Sequence, residues 1–375
     1  MQEWNKKNEF NSFNSWKGLL YSDWYKAIIE WRDGERFAPL PPIEASLDPI
    51  HACNLHCEHC NAASYLISDL KDRRMTDDHL MNLVQFLCEW GVKAICFGGG
   101  GEPTLHTKLA DALWKCKENG VSASIATNGT MLASHPKLLV AAAECCRWVG
   151  ISVDSATAET YAIGRNKDTF QQTIDGIKAL VDVTKETGGQ CEVSYKFLVF
   201  DYNQHEIYDA CKLAKELGVR DFHARPADFS HQGMGDLKKS QNPYDLDIIM
   251  EQFERCHELE DDNFRVFTVV HKFNPDFTPT KNFEFCYATP IVIQLCADSH
   301  TYFCVDQRHK PQYSLGTHFP DPRNILNFWG SDRHKEIVFG NTAKICTTRC
   351  TFGTYCKQVE ELFAKNSNPM CWEFT

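Results

Sequence analysis

A chain of 375 residues is long enough for two domains, or for one large barrel with a smaller module. Its net charge of -11 argues against bulk binding to nucleic acid or anionic membrane, and no apolar run reaches the roughly eighteen residues of a membrane span. The start, MQEWNKKNEF, lacks the apolar core of a secretion signal, so the eighteen cysteines point to reduced thiols and metal in a cytoplasmic, oxygen-sensitive protein.

Residues 1–45 carry Trp16, Trp24 and Trp31 at helical intervals and end in Pro39, Pro41 and Pro42, which predicts a helical extension covering part of the fold. A first short strand is expected over residues 46–52. Apolar runs KAICFGG, SASIAT, RWVGISVD, EVSYKFLVF and RDFHA then alternate with helical patterns near 76–90, 107–119, 136–146, 170–187 and 204–217. Such alternation implies βαβ units around a parallel sheet, an α/β fold. A polar stretch, 228–243, could border a substrate entrance; a helix over 244–259 and a strand near 264–271 close this part.

Between the first strand and the first of these helices stands CNLHCEHC, which spaces Cys53, Cys57 and Cys60 as C-x3-C-x2-C. Three thiolates on one loop can hold three irons of a cubane cluster and leave the fourth iron open, much as three ligands leave a catalytic zinc open. A zinc site is the competing reading, because His51, His56 and His59 interleave with the thiols. The loop resembles that of the radical S-adenosylmethionine (SAM) superfamily, whose open iron is taken by the amino and carboxylate groups of the cofactor. GGGGEPTLH, ending the second strand, is similar to that family's Gly-Gly-Glu motif and weighs against zinc.

The resemblance implies a partial (βα)6 TIM-like barrel over residues 46–272. It also implies cofactor contacts by His59, Gly100, Gly101, Glu102, Thr127, Asn128, Ser152, Asp154, Arg165 and Asn203, with Glu102 on the cofactor's amino group and Ser152 and Arg165 on its carboxylate. For Asp154 and Ser155, capping of the next helix is an equal alternative. Tyr195, Lys196, His223 and Arg225 could project toward substrate. Eight cysteines from Cys88 to Cys256 lie in apolar segments and read as core.

Residues 273–375 are cysteine-rich and resemble a SPASM/Twitch extension, a small α+β domain that binds auxiliary iron–sulfur clusters. A one-cluster version would use Cys286, Cys304 and two of Cys346, Cys350 and Cys356. A two-cluster version would put Cys346, Cys350, Cys356 and Cys371 on the second cluster and Cys286, Cys296 and Cys304 on the first, with Glu360 standing where the family has a fourth thiol. Asp306 is the candidate base, and Cys296 a candidate hydrogen-atom donor in the one-cluster case.

The resemblance implies a 4Fe–4S cluster, S-adenosylmethionine, one or two auxiliary clusters, and an external one-electron donor such as a flavodoxin or ferredoxin. It implies a radical enzyme that oxidises or cross-links a peptide or protein side chain. The alternatives are a dehydrogenase or epimerase of a sugar- or aminocyclitol-type small molecule and, from another class, a non-catalytic iron–sulfur electron carrier.

Overall fold

The computed structural model describes residues 20–57, 59–70, 73–227, 244–273, 283–287, 289–340, 344 and 352–361. Trp16, the stretch 228–243, Cys346, Cys350 and Cys371 lie outside them.

Seven parallel strands follow one another in chain order: β1 (Glu44–Asp48), β2 (Ala94–Phe97), β3 (Ser122–Thr127), β4 (Cys146–Ser152), β5 (Glu192–Val199), β6 (Asp221–Pro226) and β7 (Arg265–Thr268). The helices between them are α2 (Ala63–Leu66), α3 (Asp77–Trp90), α4 (Leu109–Glu118), α5 (Pro136–Cys145), α6 (Ala158–Arg165), α7 (Phe170–Thr187), α8 (Ile207–Glu216) and α9 (Leu246–Glu258). The expected helices form close to their predicted segments, joined by α2 and α6, which the sequence reading did not place; β7 ends at Thr268, short of 271, and β1 stops at Asp48, where Pro49, which has no N–H to give a ladder, follows it.

The strand residues divide by face. Leu47, Ile95, Ile125, Val149, Val193 and Phe222 belong to the large apolar cluster formed with the helices. On β5 to β7 the alternate positions are polar and meet one another across strands: Ser194 donates to Asp221, Lys196 Nζ stands 3.2 Å from His223 Nδ1, and Arg265 reaches Asp221 at 3.4 Å. The sheet is therefore buried by hydrocarbon on its helix-covered face and presents charge on the other over β5 to β7.

The C-terminal part does not stand off as a sheet of its own. β8 (Val292–Cys296) pairs in parallel with β1, and the hairpin formed with β9 (His300–Tyr302) continues to β10 (Ser314–Thr317), so all ten strands share one sheet. This covers the edge that β1 would otherwise expose. Beyond it come α10 (Ile325–Phe328), α11 (Asp332–Phe339) and α12 (Gly353–Val359).

The predicted N-terminal helix forms as α1 (Ser22–Asp33), but it docks on this C-terminal part. Tyr25 and Ile28 share a core with Tyr287, Ile291, Tyr355 and Val359, and Trp31 Nε1 donates to the Gly330 carbonyl at 3.2 Å. Two ends of the chain are thus packed into one unit.

Candidate active site

The loop carrying Cys53, Cys57 and Cys60 leaves β1 at Pro49, and its path is set by glycines facing it. A Cβ on Gly101 would lie 2.4 Å from the Ala52 carbonyl oxygen and 2.6 Å from the His51 carbonyl carbon; one on Gly100 would meet Asp48 and His51 at 2.9–3.0 Å. Gly101 is required for contact between backbones and Gly100 for close approach to the Asp48 and His51 side chains, which adds a structural reason for the motif to the ligand-binding one the sequence suggests. The Glu102 N–H then donates to Ala52 O at 2.9 Å, which binds the two loops together.

Burial pushes the thiol of Cys53 up to about 12 and that of Cys60 up to about 11, with neighbouring charges adding to both; Cys57 is the neighbour that does so at Cys60. Among the described residues, no three His, Cys, Asp or Glu side chains are gathered tightly enough for a single metal ion. Three thiols on one loop, within electrostatic reach of one another, form an all-sulfur donor set of the kind that iron–sulfur clusters take. A bound metal would also replace the protons that burial otherwise keeps on sulfur. The residues fit a cluster.

Glu102 is buried and lies within electrostatic reach of Cys53. Its Oε1 accepts from the Thr127 hydroxyl at 2.6 Å, from the Thr104 hydroxyl at 2.5 Å and from the Thr104 N–H; its Oε2 accepts from Asn128 N–H at 2.8 Å. Burial raises its pKa and these four donors pull it back, with the net shift upward. Thr127 and Asn128, assigned to the cofactor from sequence, are in this structure the partners that orient Glu102. Asn128 also donates to Asn54 Oδ1 at 2.8 Å, and Asn54 in turn donates to Thr130. Asn54 and Thr130 had no signal in the sequence beyond their place in the two loops.

On the opposite side stands Asp154, just past β4, with a left-handed φ of 61°. It does not cap α6; Thr157 does, accepting from Thr160 N–H. Asp154 Oδ2 instead accepts from Arg165 Nη2 at 2.5 Å and lies 3.4 Å from His59 Nε2, while Oδ1 accepts from Leu198 N–H at 2.7 Å. Burial opposes ionisation of this carboxyl, yet Arg165 and His59 pull it below the usual carboxylate range. Arg165 Nη1 donates to Cys57 Sγ at 3.4 Å. His59 also packs against Phe200, ring centroids 4.8 Å apart.

Other assignments change on this geometry. Asn203 is completely buried and its amide is used by backbone: Oδ1 accepts from Phe200 N–H, and Nδ2 donates to the carbonyls of Asp154 and Leu198. Its side chain shapes the turn after β5. Tyr195 points to the helix-covered side, where its hydroxyl donates to Ser155 O, so the alternation of β5 sends only Lys196 toward the barrel interior. Ser152 ends β4 opposite Lys196, and Lys196, His223 and Arg225 stand on neighbouring positions of β5 and β6.

Cys296 is sealed in the core, its thiol donating to Asp48 and its sulfur accepting from Gln294 Nε2 at 3.3 Å. It packs with Tyr65 and Cys60 beside the first loop, whereas Cys286 and Cys356 belong to the cluster around Tyr287 and Tyr355. Cys304 borders the barrel core just before a 3-10 turn that carries Asp306. Glu360 spends its carboxylate on the N–H groups of Glu284 and Phe285, next to Cys286.

The ion pair of Asp48 with Arg308, 3.2 Å apart and fully buried, ties this module to β1; sequence offered no sign of it, because the partners are far apart in the chain. Burial raises Asp48 to about 6 in spite of Arg308.

The radical SAM superfamily model matches residues 47–214, the span that holds the cysteine loop, Glu102 and the Asp154–Arg165 pair. Over that span the chain is similar to the radical SAM superfamily. Its resident cofactors are accordingly a 4Fe–4S cluster and S-adenosylmethionine, and it is an enzyme. A protein of Saccharolobus solfataricus named as a probable GTP 3',8-cyclase is 27% identical over 230 residues, which cover 59% of this chain and 67% of that one.

Among solved structures, SuiB of Streptococcus suis bound to precursor peptide SuiA has the same fold, with a TM-score of 0.59, 16% identity, and coverage of 87% of this chain and 72% of that one. The enzyme anSMEcpe with bound AdoMet matches with a TM-score of 0.56 and 16% identity over 86% of this chain and 93% of that one. These likenesses cover 87% and 86% of this chain, and so take in the fold of much of the C-terminal part as well as the barrel. No helix among the described residues is long and apolar enough to cross a membrane.

Proposed function

We propose that this radical SAM enzyme oxidises or cross-links a side chain of a peptide or protein. The observation that carries the reading is the sheet face turned away from the helices: it is polar and charged on β5 to β7, in a sheet that also takes in the C-terminal part through the pairing of β8 with β1. The shared fold with SuiB, solved with a precursor peptide, supports a peptide in that space.

Cys53, Cys57 and Cys60 would hold the cluster, with Glu102 and the Thr127–Asn128 segment on the side of the cofactor. When bound, the cluster and S-adenosylmethionine supply a 5'-deoxyadenosyl radical able to take hydrogen from an unactivated carbon. The chain's own part is to orient these groups and exclude water. Asp306, held near Arg308, is the proposed base for a net two-electron oxidation. Cys286, Cys304 and Cys356, with Cys346, Cys350 and Cys371, are the proposed auxiliary ligands.

A small-molecule substrate is favoured by a different observation, the named cyclase relative that matches the barrel, together with Arg225 and with Lys196, whose ammonium pKa is lowered by burial to about 7. Anaerobic incubation with dithionite and S-adenosylmethionine tests the enzymatic reading: wild type forms 5'-deoxyadenosine and Cys57→Ala does not. Adding the peptide products of neighbouring genes separates the two substrates, since a mass change of about two hydrogens in a peptide supports the first and none supports the second.

A further inference from the structure

The Asp154–Arg165 pair is built at considerable structural expense for a site that the helix does not need. Both side chains are almost wholly inaccessible, at 3% and 6% exposure, and Asp154 occupies a left-handed conformation that a non-glycine residue rarely takes. Every polar group of Asp154 past its own N–H is engaged: Oδ1 by Leu198 N–H, Oδ2 by Arg165 and His59, and its carbonyl by Asn203. Capping of α6 falls to Thr157, so none of this serves the helix.

What it does is aim a guanidinium at sulfur. With Nη2 held by Asp154, Nη1 of Arg165 is directed onto Cys57 Sγ at 3.4 Å. The same end of α6 latches the cysteine loop twice more: the Arg165 carbonyl accepts from His56 N–H at 3.4 Å, and Lys167 Nζ donates to the Asn54 carbonyl at 3.0 Å. Asn166, between them, takes the left-handed conformation that turns the chain back to the loop.

We propose that Asp154 and Arg165 act as one positioning unit that sets the reduction potential of the cluster through the Cys57 thiolate. An N–H donated to a cluster sulfur, carrying a buried positive charge, stabilises the reduced, more negative form over the oxidised one. The step concerned is the uptake of one electron by the cluster from a low-potential one-electron donor. The sequence reading places Arg165 on the cofactor's carboxylate; the geometry gives it a function before any cofactor arrives. The inference rests on the functional reading, in that Cys53, Cys57 and Cys60 must hold a cluster.

The test is potentiometric EPR of the reconstituted protein without S-adenosylmethionine, using dithionite as reductant and with iron and sulfide counted on every sample. Arg165→Met is expected to move the midpoint of the cluster to a more negative potential. Asp154→Asn, which tolerates the same backbone and can still accept from Leu198 N–H, is expected to shift it the same way by less. The double variant should lie no more negative than Arg165→Met alone, because the two residues act through one contact and Asp154→Asn also removes a buried negative charge. An unchanged midpoint in Arg165→Met overturns the inference, as does an additive double variant. Loss of the cluster from both single variants also overturns it, since the pair would then only hold the loop together. If wild type itself binds no iron, it is the functional reading that fails.

Discussion

Gly101→Ala probes the contact on which the site's layout depends. The added carbon would sit 2.4 Å from Ala52 O, 2.6 Å from His51 C and 2.7 Å from Ile50 O, against about 3.5 Å or more for carbon at ease with a neighbour, an overlap of roughly 1 Å. All three atoms are backbone, so no side chain can swing aside. Relief requires the two loops to separate, which stretches the Glu102 N–H to Ala52 O bond. Overpacking of this kind costs about 1–3 kcal/mol, and loss of the buried bond adds about 1, for a total of about 2–4 kcal/mol out of the 5–15 typical of a domain.

Anaerobic urea unfolding of the apoprotein followed by far-ultraviolet circular dichroism reads that loss, and iron content after reconstitution should fall with it. Gly34→Ala is the control: it keeps a positive φ of 82° with nothing within 4 Å, so only backbone strain of about 1–2 kcal/mol applies. A Gly101→Ala protein that unfolds within about 1 kcal/mol of wild type and holds wild-type iron would refute the close approach.

Burial lowers His334 to about 3, and its ring lies against Trp31 and Trp329. As pH falls below the unfolded value near 6.5 the unfolded chain takes up a proton that the folded chain refuses, so stability present above that pH is lost progressively toward pH 3. At pH 5 the loss from this residue is about 2 kcal/mol, and in His334→Asn the difference between urea melts at pH 7 and pH 5 should shrink by that amount; an unchanged difference would show the ring is not kept neutral by burial. Asn203→Ala strands one N–H and two carbonyls, and a fall of about 2–4 kcal/mol in unfolding free energy is expected, against near-neutrality if the amide were exposed to ligand instead. Thr157→Ala should cost about 1 kcal/mol as a lost N-cap, and no cost would return that function to Asp154.

Local chemistry made much of this protein legible before any coordinates. The βαβ succession follows from apolar runs and helical periodicity, and helices such as Phe170–Thr187 and Pro136–Cys145 fall where those patterns place them, because each is stabilised by its own apolar face against one sheet. The thiol spacing and the glycine run likewise carry their meaning within a few residues. Which partners those residues choose is another matter.

Glu102 taking Thr127 and Asn128, Asp154 aiming Arg165 at Cys57, and Arg308 reaching Asp48 are contacts between segments 11 to 260 residues apart, and only the packed sheet brings them together. So too with β8, which joins β1 because an open parallel sheet leaves that edge unsatisfied, and with α1, which docks on the C-terminal part because Tyr25, Ile28 and Trp31 find their apolar partners there. Spacing determines which groups are available on each loop; burial and long-range hydrogen bonding decide which of them face the same point.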